Sequence, residues 1–336
     1  MKALQIQSLG GPDGLKAVNL PEPTPGSGEV LIRVRAASLN FRDLMVLKGT
    51  YNPKITLPAV PLSDGAGEVV AVGPGVSKFK AGDRVAAAFM TGWVSGPPTE
   101  ASAKTALGAG GTGMLAEQVI LPESGLVSLP DHLSFEEAAT LPCAAVTAWH
   151  ALISEGKLKA GDTVLTLGTG GVSVFALQFA RMHGARVIAT SGSDEKLVKV
   201  RALGASETIN YKTNPEWDRT VRELTNGEGV DHVVEVGGAD TLSRSLRAVK
   251  VGGKVSLIGV LSGGVAEVNV LPILMRNLRI LGIFVGSRTM FEEMNRAIAL
   301  HKLMPVIDKV FSLDGAAEAY HHLQSGQHFG KVVIRL

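Results

Sequence analysis

With 336 residues, 45% of them hydrophobic and 19% charged, the chain has the balance of a globular protein of about two domains, and disorder is excluded. The formal net charge is +2, with Lys and Arg scattered among Asp and Glu, which excludes the broad basic footprint of a nucleic-acid-binding surface. The single cysteine, Cys143, excludes an internal disulfide and any multi-cysteine metal site.

The opening residues, MKALQIQSLGG, lack the apolar core and small-residue cleavage site of a secretory leader. Nowhere does an uncharged apolar run approach ~18 residues, so a cytoplasmic protein without membrane contact is expected. The first third reads as β-rich. In VLIRVRA (30–36), Ile32, Val34 and Ala36 share one face and Arg33 and Arg35 the other. Residues 67–72 and 84–88 read as further strands, punctuated by Gly73, Pro74, Gly75 and Gly82. Residues 91–113, rich in Gly, Pro, Ser, Thr and Ala, read as a long surface loop.

The pattern changes after about Ala138. Buried-type strands TVLTLG (163–168), RVIATS (186–191), HVVEVGG (232–238) and KVSLIG (254–259) alternate with helical patterns. This alternation predicts an α/β fold with a doubly wound parallel sheet of right-handed βαβ units. An apolar stretch at 271–285, broken by Arg276 and Arg279, reads as core strand or interface. The closing strand KVVIRL returns to the style of the first third. The domains are therefore predicted as 1–123 completed by 286–336, with 124–285 between them.

The strand TVLTLG runs into Gly168, Thr169, Gly170, Gly171, Val172 and Ser173. Beyond it Val172, Phe175, Ala176, Phe179 and Ala180 recur at helical spacing. Strand, glycine turn and helix in that order let backbone amides approach a pyrophosphate at a helix N-terminus. The third glycine of the G-x-G-x-x-G pattern is replaced by Ser173, small enough for close packing. A tight turn without a ligand is the plain alternative; the βαβ repeats around it favour a dinucleotide. An NAD-preferring site carries an acid ~20 residues after the glycines, at the end of the second strand. Here that strand ends in Ser191-Gly192-Ser193, and Lys196 follows. This favours NADP(H), with Lys196 near the 2′-phosphate; a solvated Lys196 beside Glu195 is the alternative.

The segments AASLNFRDLMVLKGTY, LSDGAGEVVAVGPGVSKFKAGDRV, AATLPCAAVTAWHAL, LGTGGVSVFALQFARMHGARVIATSGSDEKL, LGASETINY and FGKVVI occur in this order. In this set the chain resembles the medium-chain dehydrogenase/reductase superfamily over nearly its whole length. It is most similar to the zinc-lacking branch of quinone oxidoreductases and zeta-crystallin, and within it to the zinc-type alcohol dehydrogenase-like subgroup. The resemblance implies a GroES-like β-rich catalytic domain, a Rossmann domain and a cofactor cleft between them. The positions that match the catalytic zinc ligands are Asn40, Ser63 and Cys143, one ligand of the three that zinc needs, so no metal site is expected. The proton-relaying hydroxyl of zinc enzymes falls at Arg42. The structural-zinc lobe falls in residues 91–113, which hold no cysteine. The resemblance also implies cofactor contacts: Thr147 and Asn40 beside the nicotinamide, Lys196 and Tyr211 on the 2′-phosphate, Gly259, Phe284 and Val285 on the nicotinamide side, and Lys331 as a basic contact.

Without a metal, a conjugated acceptor suits hydride transfer, because charge spreads to the carbonyl oxygen and neutral donors stabilise it. The candidate donors are Asn40, Tyr51 and Ser63, with Tyr51 equally readable as a packing aromatic. Asp43 and Asp64 read as hydrogen-bonded structural acids and His150 as a satisfied core histidine. The leading expectation is a zinc-independent, NADPH-dependent oxidoreductase of quinones, enones or related activated carbonyls. The alternatives are an alcohol or aldehyde dehydrogenase without zinc, and an NADPH-binding structural or RNA-binding protein with little turnover. A homodimer joined through residues 268–285 is expected.

Overall fold

The alternation around Val34 belongs to an eleven-residue strand, Glu29–Leu39, longer at both ends than the pattern predicts. In the computed structural model, which describes residues 1–336, this strand organises the first of two units. Along one side it pairs antiparallel with Asp64–Val72. Along the other it pairs first with Gln118–Pro122 and then with the C-terminal strand Lys331–Arg335. The sheet continues to Ile307–Ser312 at one end and to Arg84–Ala87 and Leu126–Ser128 at the other. Its core gathers Ile6, Ile32, Val34, Leu47, Val332 and Ile334. The register sets Leu39 opposite Val332 and Ser38 opposite Asp64. Asn40, Asp64 and Lys331, far apart in the sequence, therefore emerge at one edge of the sheet.

The second unit, Thr147–Val285, is built on six strands. These are β1 (Thr163–Leu167), β2 (Arg186–Ser191), β3 (Glu207–Asn210), β4 (Val230–Glu235), β5 (Val249–Leu257) and β6 (Arg279–Gly282). Neighbours are parallel throughout, in the order β3-β2-β1-β4-β5-β6. Strand order reverses between β1 and β4, which opens a crevice at their carboxyl ends. Helix α1 (Gly171–Met182) follows β1 and α2 (Asp194–Ala202) follows β2. Leu165, Ile188, Val233, Leu246 and Val255 form the core of this unit. The expected β-rich unit completed by the chain's tail, and the expected doubly wound sheet, are both present.

The chain leaves the first unit at 146/147 and re-enters it at 285/286. The second crossing falls where the sequence placed it; the first lies later than 123/124. The reason is pairing. Leu126–Ser128 adds a strand beside Arg84–Ala87, Asn295 Nδ2 donates to the Ser128 carbonyl at 2.9 Å, and the Cys143 N–H donates to Asp64. Residues 91–113 also depart from a plain surface loop: they carry a short helix, Glu100–Ala103, and bury Trp93 and Leu107. The 271–285 stretch is no core strand. It is a short helix, Leu271–Met275, with no buried residue, followed by the edge strand β6.

Candidate active site

In the first unit, polar side chains converge where the three strands end. Asn40 follows the central strand and precedes helix Phe41–Lys48, whose Asp43 accepts the Asn40 N–H at 2.8 Å through Oδ2 and so caps the helix. Lys331 opens the C-terminal strand and is 3% exposed. Its ammonium donates to the Leu39 carbonyl at 2.7 Å and to Asn40 Oδ1 at 2.6 Å, and lies 3.7 Å from Asp64 Oδ2. Asp64 is sealed from solvent and accepts the Ser63 hydroxyl at 2.8 Å and the Cys143 N–H at 3.3 Å. Burial raises the Asp64 carboxyl above its ordinary range, against the pull of Lys331, Asn40 and Ser63. Burial, with Asp64 nearby, likewise pushes the Cys143 thiol up, so it is held neutral.

Arg42 is flanked by two aromatic rings, with its guanidinium 4.6 Å from the centroid of Tyr51 and 4.7 Å from that of Phe89. Its Nη1 donates to the Leu107 carbonyl at 2.9 Å and stands 3.7 Å from Asp43 Oδ1. Burial raises Asp43 to about 6 despite that guanidinium. Lys331 has its charge buried on Asn40 and the Leu39 carbonyl. Ser63 gives its hydroxyl to Asp64. Tyr51 is half-buried against the core and Arg42. Asn40 Nδ2 is buried and forms no hydrogen bond.

The donor set does not fit a zinc ion. An amide, a hydroxyl given to Asp64 and one neutral thiol meet a lysine ammonium at the place a dication would need. No three His, Cys, Asp or Glu side chains are grouped to hold a metal.

In the second unit, the predicted cofactor residues lie just beyond the carboxyl ends of parallel strands. After β1, Gly168 turns with φ +73°, a conformation that glycine adopts freely. Helix α1 begins at Gly171, and its first turn closes with the Val174 N–H on the Gly170 carbonyl. The N–H groups of Gly171, Val172 and Ser173 precede that bond and have no partner within the helix, an arrangement that favours an anion. Ser173 donates its hydroxyl to the Leu167 carbonyl at 2.6 Å, which ties helix to strand where the usual glycine is absent. After β2, Ser191 Oγ accepts the Ser193 N–H at 3.3 Å, and Ser193 caps α2 at the Lys196 N–H. Gly192 lies under two side chains: a Cβ there would lie 2.8 Å from the Tyr211 hydroxyl and 2.9 Å from Lys212 Cε. Tyr211 and Lys212, both just past β3, therefore stand over the end of β2. The sequence reading missed Lys212; its signal was the order β3-β2, which sets Asn210 beside Ser191.

Gly259 follows β5, and Phe284 and Val285 follow β6. Val285, a β-branched residue, is held at φ +55°, an uncommon and strained conformation. Its carbonyl lies 2.7 Å from His150 Nδ1, which must therefore carry the proton. Burial lowers the His150 pKa, so the neutral ring is the form that makes this bond. Thr147 is buried in a short α-helical stretch between two π-helical turns, Leu141–Ala145 and His150–Ser154. Glu235, at the end of β4, also escaped the sequence reading. It accepts the Gly237 and Gly238 N–H groups and the Thr241 and Ser245 hydroxyls, and so builds the turn beside the crevice.

Comparison with known proteins adds an independent line. Residues 26–131 match the family model of the alcohol dehydrogenase GroES-like domain, and residues 171–300 match that of the zinc-binding dehydrogenase domain. A zinc-type alcohol dehydrogenase-like protein of Schizosaccharomyces pombe is 46% identical over 335 residues, 98% of this chain and 97% of the relative. The quinone oxidoreductase of Homo sapiens is 32% identical, over 100% of this chain and 98% of the relative. Among solved structures, an NAD-dependent alcohol dehydrogenase superimposes with a TM-score of 0.92 at 39% identity, covering 100% of both chains. A mycobacterial protein in complex with NADPH superimposes with a TM-score of 0.84 at 30% identity, also over 100% of both.

Proposed function

The chain belongs to the medium-chain dehydrogenase/reductase superfamily of oxidoreductases, and from that premise we propose that it is an NADPH-dependent, zinc-independent reductase of quinones, enones or related activated carbonyls. The observation that carries the cofactor choice is the end of β2. Ser191 stands where an acid would hold a ribose diol, Tyr211 and Lys212 crowd Gly192, and Lys196 lies in the first turn of α2, the helix that follows β2. A 2′-phosphate suits that setting and a bare diol has no carboxylate to meet. The relative described as NAD-dependent is the specific counter-reading, and cofactor titration decides between them.

When bound, NADPH supplies the hydride. The N–H groups at the start of α1, with Gly168, Thr169, Gly170, Gly171 and Val172, receive the pyrophosphate. Ser191, Lys196, Tyr211 and Lys212 receive the 2′-phosphate. Thr147, Gly259, Phe284 and Val285 serve the nicotinamide side. Asn40 Nδ2 and the Tyr51 hydroxyl are the donors for an oxygen that gains negative charge. A metal contributes several kcal/mol to a simple alkoxide; here no side-chain set supplies one, which favours acceptors that spread charge by conjugation. The protein is further proposed to act on small molecules in the cytoplasm, as a homodimer, without nucleic acid or membrane as partner. The test is consumption of NADPH and NADH over a panel of quinones, enones, aldehydes and alcohols, with elemental analysis of the purified protein. Reduction of a quinone or enone with NADPH, unaffected by chelators, is expected. Stoichiometric zinc with chelator-sensitive alcohol oxidation would overturn the reading.

A further inference from the structure

Lys331 and Asn40 are 291 residues apart in sequence, yet their contact is among the shortest side-chain hydrogen bonds of the cluster, 2.6 Å. An ammonium has three donors and no acceptor, so the amide face turned to it must be the oxygen. The flip of the Asn40 amide is thereby dictated by chemistry. Asp64, a pure acceptor when ionised, lies on the nitrogen side, and the Asn40 amide helps hold that carboxyl down against the rise caused by burial. A donor on one side and an acceptor on the other select the same orientation. The clamp is itself rigid. Lys331 is fixed by the Leu39 carbonyl, and Asp64 by the Ser63 hydroxyl and the Cys143 N–H. Asn40 Nδ2 is left buried without a hydrogen bond, although such donors are rarely left unmet. The amide nitrogen carries two N–H donors, so its pull on Asp64 leaves one for a ligand.

Resting on the function proposed above, we propose that Lys331 is a positioning residue: it locks the Asn40 amide so that Nδ2 is presented to the acceptor oxygen that gains charge during hydride transfer. Lys331 acts through Asn40 and touches neither cofactor nor substrate. The lock prevents the amide from offering its oxygen, which would repel that developing charge.

A double-mutant cycle with Asn40→Ala and Lys331→Met tests this on the full chain with NADPH and its best acceptor. Asn40→Ala is expected to lower kcat on the order of 10²-fold, the usual loss for one preorganised donor. Lys331→Met should lower kcat comparably, with the NADPH Kd within about threefold of the parent, and should cost little more in the Asn40→Ala background. Lys331→Arg, which keeps charge and donors, should restore most of the loss. A Lys331→Met effect of equal size in both backgrounds, or one that follows thermal stability alone, would show a merely structural lysine. A spectroscopic reading does not depend on the variants folding or on turnover. In protein labelled with ¹⁵N-asparagine, the Asn40 amide should give one slowly exchanging pair in the parent. Two interconverting pairs there would overturn the lock. Failure of every acceptor in the panel would instead overturn the function reading and leave the amide signal to judge the lock.

Discussion

Asp43 sits between Arg42 and the buried Tyr320, whose own pKa is raised by burial and by the Asp43 charge. Its carboxyl holds a proton to about 6 in the folded chain against 3.8 as the ordinary value. Between these values the native state binds a proton that the unfolded state has released. Stability from this group is therefore greatest below the ordinary value and falls as pH rises through the window, by about 3 kcal/mol in all. Asparagine does not titrate. The stability of the parent relative to Asp43→Asn should thus be higher at pH 4 than at pH 7.5, read by urea unfolding at both. The same difference at both pH values would mean that Asp43 titrates normally and that its burial costs little. At this scale the sequence named the residues better than their duties. Asn40, Ser63 and Cys143 were legible as a set, and Lys331 apart from it. Their partners were not, because Lys331 reaches Asn40 only through the pairing of Leu39 with Val332. Nothing local in FGKVVI reports that register, so the buried contact of Lys331 with Asn40 was not legible.

The βαβ elements were the most legible part of the chain, because strand and helix periods alternate cleanly and the glycine turn marks the first crossing. Boundaries were less so: β5 begins at Val249 where its pattern suggested 254, since VKVGG carries too little apolar content to read as strand. What periodicity does not report is which strand ends are neighbours. That is why the sequence reading passed over Lys212, which lies over Gly192 together with Tyr211. The element-level prediction follows from this grouping. A charge-assisted contact to phosphate contributes roughly 1.5–3 kcal/mol, about tenfold to a hundredfold in affinity. Lys196→Ala and Lys212→Ala should each weaken NADPH by about tenfold and leave NADH nearly unchanged, as read by fluorescence titration. The preference of the parent for NADPH should shrink as salt rises, because these side chains are at least partly exposed. Equal losses for the two cofactors would show that neither lysine meets the 2′-phosphate, and would return the end of β2 to the NAD reading.

For the whole molecule, the decisive feature is an edge. β6 pairs only with β5, so one rim of its backbone N–H and C=O groups faces outward. Beside it in the chain the short helix Leu271–Met275 exposes Leu274 at 74% and Met275 at 77%, and Val265, Val270 and Ile280 are exposed as well. No helix of the chain is long and apolar enough to cross a membrane. The apolar run was legible in the sequence as low in charge and as the edge expected to join two copies; its division into an exposed short helix and the edge strand β6 was not. In the homodimer proposed above, joined edge to edge across a twofold axis, each β6 would complete the ladder of the other and the apolar helices would cover one another. The parent should therefore run as a dimer at micromolar concentration by light scattering. Leu274→Arg with Ile280→Lys places like charges face to face across the axis and should yield a monomer. Since both positions lie away from the glycine turn and from the end of β2, the monomer should still bind NADPH within about threefold of the parent, a difference under about 1 kcal/mol. A parent that is monomeric at that concentration would sink the dimer, and a variant that remains dimeric would move the interface to another face.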